Sequence, residues 1–514
     1  MNIYASKMLY ILLAATLVIS CQPKQDKTEH NDLKESHFEY TLSVEEVDLK
    51  NAPSLQSFAH GVDGDNWLLF AGRTNSKDSL NGGLHNLTAN YANTSFTPPS
   101  YNDRIFVYNA KNDKRHELPL STFKLMLQQD FPENYAAYKG FESVFQNSNA
   151  LVKQNGEYLY VIGGYGPIDF KAPKNGYETY NQVAKIHVKS LIHLVKREFE
   201  KVDAEKFLSF GRDSLLISTG GELQVMGSEN TPTFYLAGGH NFAKGQKYVD
   251  AVYPFTIKDS LHQLTIKLQT PISDVVDPTL PIADDLSTFR RRDGPIVPTI
   301  YKSPVNNDIN QGLAFYTGVF MPGSDSNLQA WNDAVYVHPS FANKEGKLFT
   351  IDTEYNQNNY NVYSCPNFVV YDSTSDISYT FLIGGIGDGK FAKDGNLSGF
   401  TNTAVRIETN ISEFPLRSSH HLIKSDYLFN QSANNKPPFY GAEAILFINE
   451  NLNPVLASDG TKTELLDMTS FDNSDTTIGH IYGGIEAFRS NPGTYGKTYS
   501  RASNKIWKVV LKKK

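Results

Sequence analysis

Cysteine is nearly absent, with two residues in 514, so no disulfide framework holds the fold together. Positive charge is not in excess: 48 Lys and Arg stand against 55 Asp and Glu, giving a net charge of −7. With an isoelectric point near 6.0, the chain lacks the basic face that a nucleic-acid partner requires. Lys512-Lys513-Lys514 reads as a solvated end. The apolar run from Met8 to Ile19 is too short to cross a bilayer as a permanent helix. No G-x-S-x-G, H-E-x-x-H, P-loop or dinucleotide fingerprint occurs in a supporting context, and no motif implies a cofactor. Gly384-Gly385-Ile386-Gly387-Asp388-Gly389 is glycine-rich but opens no helix, so it reads as a turn between strands and not a phosphate cradle.

What the chain does have is aromatic residues, 29 Tyr and 31 Phe, in short runs that end in glycine. Tyr158-Leu159-Tyr160-Val161-Ile162-Gly163-Gly164 sets the pattern. It returns as Trp67 to Gly72, Phe234 to Gly239, Leu313 to Gly318, Thr380 to Gly385 and Gly479 to Gly484. Each run lacks a breaker and reads as a buried strand. The glycine permits positive φ or close backbone approach. A second signal follows each run after a variable loop: an Asn or Asp (Asn102, Asn181, Asp250, Asn332, Asn402, Asn504) just before another strand. Such a side chain bonds nearby backbone and suits a turn. Six recurrences of strand, glycine, loop, Asx and strand imply a propeller or a solenoid.

The double glycine closing the second strand of each unit resembles the Kelch-type β-propeller. The resemblance implies an all-β fold, a six-bladed Kelch-like β-propeller over residues 38–514 with long loop insertions and a few short helices. Separate radial sheets also answer the length, because 514 residues exceed what one compact core sustains. The uneven glycine intervals leave the blade count open by one. Residues 38–44 alternate as a strand and are expected to join 503–511, closing the ring and removing two exposed edges. Ser121 to Gln129 is expected to form a helix stopped by Pro132. Val195, Phe199 and Val202 fit a helix or an outer strand, and Asn449 to Thr477 reads as a long polar excursion.

Val18-Ile19-Ser20-Cys21, closing the apolar run after Lys7, resembles the lipoprotein box of bacteria. It implies a signal peptide over 1–21, lipid on Cys21 and attachment to a membrane without spanning it. Gln22 resembles outer-membrane sorting, and residues 22–37 read as a flexible tether. The expected location is therefore the outer membrane, facing the periplasm or the surface.

In a propeller, the residues just after the glycines and just before the first strands converge on a central funnel. From the glycine side come Arg73, Tyr165, His240, Asn241, Phe320, Glu486 and Arg489. From the strand starts come His60, Asn149, Arg290, Arg291, Arg292, Asp293, Cys365, Asn367, Tyr440 and Glu443. The arginine triplet offers fork geometry to carboxylate, sulfate or phosphate, although alternation along a strand prevents all three from facing one way. The catalytic candidates are Glu486, His240 and His60. Ser364-Cys365-Pro366 and Tyr440 are similar to the crosslinked cysteine and tyrosine of galactose oxidase, a Kelch propeller with copper. That resemblance implies a copper site of Cys365, Tyr440 and His60, but the second histidine and axial tyrosine have no counterpart.

Beside the copper oxidase, two functions remain open. One is an envelope-anchored monomeric module that binds a glycan or an envelope protein. The other is a carbohydrate enzyme similar to the sialic acid mutarotase, acting on anionic sugars with arginine and glutamate in the funnel.

Overall fold

A computed structural model describes residues 38–75, 98–242, 247–274, 287–316, 318, 331, 333–356, 362–388, 398–423, 428–429, 439–471, 474–488 and 500–514. The expected signal segment with Cys21, the tether 22–37, Phe320 and Arg489 lie outside the described residues. All of the described residues but Phe38 belong to one compact unit, Glu39–Lys514. It is mostly β, with 47% strand against 11% helix, so the helices are insertions and not a layer.

Most strands form six antiparallel runs of four, beside smaller two- and three-stranded sheets. Sheet 1 is Ala59–Asp63, Asn66–Phe70, Arg104–Asn109 and Lys114–Pro119. Sheet 2 is Leu151–Asn155, Tyr158–Ile162, Gln182–His187 and Leu208–Arg212. Sheet 3 is Glu222–Met226, Thr233–Ala237, Tyr253–Ser260 and Gln263–Leu268. Sheet 4 is Ile296–Lys302, Ile309–Phe315, Ala334–Val337 and Phe349–Asp352. Sheet 5 is Asn367–Asp372, Ile377–Ile383, Ala404–Asn410 and Ser418–Ile423. Sheet 6 is Ile445–Ile448, Thr476–Tyr482 and Ile506–Lys513, completed by Tyr40–Val47 from the other end of the chain. That strand pairs Tyr40 with Lys513 and Val47 with Ile506, a few residues beyond the expected 38–44. Sheets 2 and 3 are one nearly closed eight-stranded sheet, joined by a parallel contact between Phe210 and Gln263.

The middle strands are buried on both faces, as in Tyr158–Ile162, because each sheet packs against two others. One apolar cluster joins sheets 1 and 2, a second sheets 2 and 3, a third sheets 3 and 4, and a fourth sheets 4 and 5. Between sheets 5 and 6, Trp507 meets Phe429 and Tyr440. Sheet 6 then packs on sheet 1, where Trp67 stacks on Phe447 at 4.0 Å.

The glycine signal has a backbone cause. The amide of the glycine that closes the run donates to a carbonyl just before the first strand of the following sheet. Gly72 donates to Asn147, Gly164 to Ser218, Gly239 to Arg291, Gly385 to Tyr440 and Gly484 to Leu55, at 2.7–3.0 Å. The preceding residue must take positive φ to aim that amide, 68° at Gly163, where a Cβ would lie 2.1 Å from the Ser218 carbonyl. The Asx signal works locally: Asn102 Nδ2 donates to the Ala71 and Arg104 carbonyls and its Oδ1 accepts from the Arg104 amide.

Three expectations change in detail. Leu120–Asp130 is a helix, but Pro132 opens a second helix, Pro132–Tyr138, at the first-turn position where its missing N–H costs nothing. Val188–Val195 is helical, and the outer strand of sheet 2 begins later, at Leu208. The excursion after Asn449 folds into a hairpin, Pro454–Leu456 with Lys462–Asp467.

Candidate functional site

The first strands of all six sheets line one cavity of about 770 Å³. At one end of it lies a ring of six residues, each immediately ahead of, or a few residues before, a first strand: Ser57, Asn149, Gly220, Asp293, Ser364 and Glu443. All six have positive φ, between 49° and 65°. Their amides and carbonyls link in sequence: Asn149 donates to Ser57, Gly220 to Asn149, Asp293 to Gly220, Ser364 to Asp293 and Glu443 to Ser364, at 2.5–3.2 Å. A left-handed backbone costs a side-chain-bearing residue roughly 1 kcal/mol, so the ring persists because its hydrogen bonds over-determine it.

Glu443 gathers the ring. Its carboxylate accepts from Ser57 Oγ at 2.7 Å, Asn149 Nδ2 at 3.0 Å and Ser364 Oγ at 2.9 Å. Enclosure by protein raises its pKa, the charge of Asp293 raises it further, and the two serine hydrogen bonds oppose the shift. Arg292 sits beside it, with Nε donating to Asp293 Oδ2 at 2.9 Å and Nη1 lying 3.3 Å from His240 Nε2. Burial, then the Arg292 charge, push His240 down to about 3, so it is a neutral imidazole.

Away from the ring the polypeptide itself crosses the cavity. The Lys462–Asp467 strand pairs in parallel with Asn367–Asp372 through Val370 and Tyr371. Ser458 and Thr461 of the hairpin bond to Ile309 and Gln311 of sheet 4. Glu464 reaches Lys153 of sheet 2 at 2.5 Å. The cavity is thereby bounded by the ring, by six strands and by this hairpin.

Inside it stands Glu222, which opens the first strand of sheet 3. Burial, reinforced by the charges of Glu443 and Glu464 and opposed by Lys153, brings its pKa up to about 7. In the sequence Glu222 follows a Gly-Gly pair with no strand-start signal beside it. The available signal was the missing strand start of the third repeat unit.

Of the residues expected at the funnel, His60, Asn149, Asp293, Cys365, Asn367 and Glu443 line the cavity. Burial holds His60 down to about 4 and pushes the Cys365 thiol up to about 12. The arginine triplet divides. Arg291 is 1% exposed and serves the fold: Nη2 donates to Asp333 Oδ1 at 2.7 Å, Nη1 to the Asp333 carbonyl and Nε to the Thr288 carbonyl. Its fork is thereby taken up within the fold. Arg290 lies over the Tyr248 ring at 3.9 Å. Arg73 is buried, with Nε 3.4 Å from Ser100 Oγ and its pKa lowered by burial to about 10. Tyr165 stacks on Tyr177 and meets Phe242 at a tilt, and Asn241 pairs with Lys247.

Glu486, expected as a catalytic acid, is buried and bound to Arg501 Nε at 2.8 Å. The copper set does not assemble. Cys365 belongs to the cluster between sheets 4 and 5, whereas the Tyr440 ring packs on Phe429 and Trp507 and its hydroxyl donates to the Gly483 carbonyl. Among the described residues no group of three His, Cys, Asp or Glu is placed to hold a metal ion. No family model and no curated protein matches the chain.

Proposed function

We propose that the chain is a six-bladed, Kelch-like β-propeller, held to the outer membrane of a bacterial envelope by lipid on Cys21, which binds a glycan in its central chamber. Six four-stranded runs, each packed on the next and the last on the first, support the propeller reading. The chamber carries the binding reading: its volume of about 770 Å³ falls in the range of small-ligand sites. Its wall mixes carboxylates, amides and hydroxyls with the rings of Phe58, Phe368 and Phe447, the combination that meets both the hydroxyls and the apolar faces of a sugar.

Anionic sugars fit this wall poorly. Arg291 is committed to Asp333 and Arg292 to Asp293, which leaves acidic groups in the majority. A glycan array probed with the detergent-solubilised full chain tests the reading; binding to no carbohydrate at millimolar ligand in solution refutes it.

One observation favours a second reading, an acid–base enzyme on carbohydrate. Two carboxyl groups with raised pKa values, Glu222 and Glu443, share the enclosed space, and such groups move protons at neutral pH. Anomerisation that is catalysed by the protein and lost in Glu222→Gln, with binding retained, distinguishes this from a pure binding module.

A further inference from the structure

The charges of the chamber do not balance. Arg292 is neutralised by Asp293 at 2.9 Å and Lys153 by Glu464 at 2.5 Å. Glu443 accepts only neutral donors, Ser57, Ser364 and Asn149. Glu222 has no side-chain hydrogen-bond partner among the described residues and lines the chamber half-buried. Five carboxyl groups line the chamber (Glu222, Asp293, Glu443, Glu450 and Glu464) against two ammonium groups, Lys153 and Lys462, and such a surplus of partly buried carboxylates is costly unless something positive joins them.

We infer that the chamber takes a ligand bearing a protonated amine, and specifically an amino sugar with a free amino group, whose ammonium is held by Glu222 and Glu443. The inference rests on the glycan reading above and narrows it. A compact cation with three donors suits the geometry. Glu222 offers open acceptor positions, and Glu443 is anchored by three donors that fix its orientation. The neutral remainder of a sugar finds Asn367 and Ser57 for its hydroxyls and Phe58 for a ring face. A metal ion is a weaker match, since no set of three ligating groups converges among the described residues. An N-acetylated sugar is weaker still, because acetylation removes the charge that the carboxylate surplus of the chamber favours. The hairpin takes part indirectly: Glu464 and Gln224 accept the hydrogen bonds of Lys153, which acts on Glu222 through its charge alone.

Calorimetry on the detergent-solubilised full chain with three trisaccharides of one linkage tests this: glucosamine, N-acetylglucosamine and glucose. The glucosamine trimer is expected to bind at least tenfold more tightly than either of the others. Glu222→Gln, which keeps the shape, is expected to erase that preference while the variant melts no lower than the parent. Glu443→Gln should reduce it as well. Binding of the acetylated or neutral trimer at equal or greater strength overturns the ammonium site and leaves the glycan reading standing. A Glu222→Gln variant that retains the tenfold preference also overturns it. Failure of all three trimers, together with a blank array, removes both.

Discussion

At the scale of single residues, the chain separates two kinds of charge that look alike in the sequence. Arg291 is buried against Asp333 and lies over Trp331 at 4.5 Å. Arg291→Ala should therefore cost roughly 3 kcal/mol of stability, because it strips a buried ion pair of one member. Denaturant titration reads this as a lower midpoint, and a midpoint within about 0.5 kcal/mol of the parent contradicts the role given to it. Glu222 predicts the opposite sign. Its folded pKa of about 7 stands above the ordinary 4.5, so the folded chain keeps a proton that the unfolded chain has released. Stability then falls as pH rises between those values, by up to about 1.4 kcal/mol per unit. Glu222→Gln should remove that fall, making the variant more stable at pH 7 and equal at pH 4. His60, whose folded pKa is lowered to about 4, works in the other direction by losing stability as pH drops below 6.5, and it does so in both proteins. Parallel pH profiles for parent and variant would refute the assignment. Neither role could be read from the chain. The burial of Arg291 depends on Asp333, forty-two residues away, and Glu222 gains its environment from strands of other sheets.

At the scale of elements, the glycine-terminated strands were legible because their requirement is local: a positive φ and room for a neighbouring carbonyl are properties that only a few residue types satisfy. Ala71 shows the limit, holding the same conformation at φ 53° with a methyl group. Gly163→Ala is expected to destabilise by roughly 2 kcal/mol or more, since its Cβ would meet the Ser218 carbonyl at 2.1 Å. Unfolding monitored by Trp fluorescence is the check, and an unchanged midpoint would show that the inter-sheet hydrogen bond at Gly164 has slack. The hairpin across the chamber was illegible for the converse reason. Its strands are short, with three and six residues, and they become strands only because sheet 5 offers an edge. Val455 and Leu465 are its apolar anchors, both buried in the cluster between sheets 4 and 5. Leu465→Ala should cost about 2–4 kcal/mol by leaving a cavity there, with proteolytic nicking between residues 457 and 461 as the accompanying sign that the hairpin has loosened.

At the scale of the whole folded unit, stability depends on the last sheet meeting the first, and three contacts carry that junction. Trp67 stacks on Phe447 at 4.0 Å, the Gly484 amide donates to the Leu55 carbonyl at 2.8 Å, and the Tyr482 hydroxyl donates to the Pro53 carbonyl. The Tyr40–Val47 strand adds a different kind of closure. It touches none of these groups in the register; it pairs along the whole of Ile506–Lys513 and covers an edge that would otherwise present unpaired amides and carbonyls. Glu45 strengthens the pairing by binding both Lys508 and Lys512, which lowers its pKa to about 2. Because Tyr40 is buried and most of the strand is half-exposed, a chain beginning after residue 48 should lose roughly 2–4 kcal/mol, the burial of a few apolar side chains. Sheet 1 should still meet sheet 6 in that truncated chain, so it should unfold in one transition at a lower midpoint and associate through the bare edge as concentration rises. A synthetic peptide of residues 39–48 should restore both the midpoint and the monomer. If the truncated chain melts like the parent and stays monomeric, the strand is an ornament on sheet 6, and closure resides in the sheet 1 and sheet 6 packing alone.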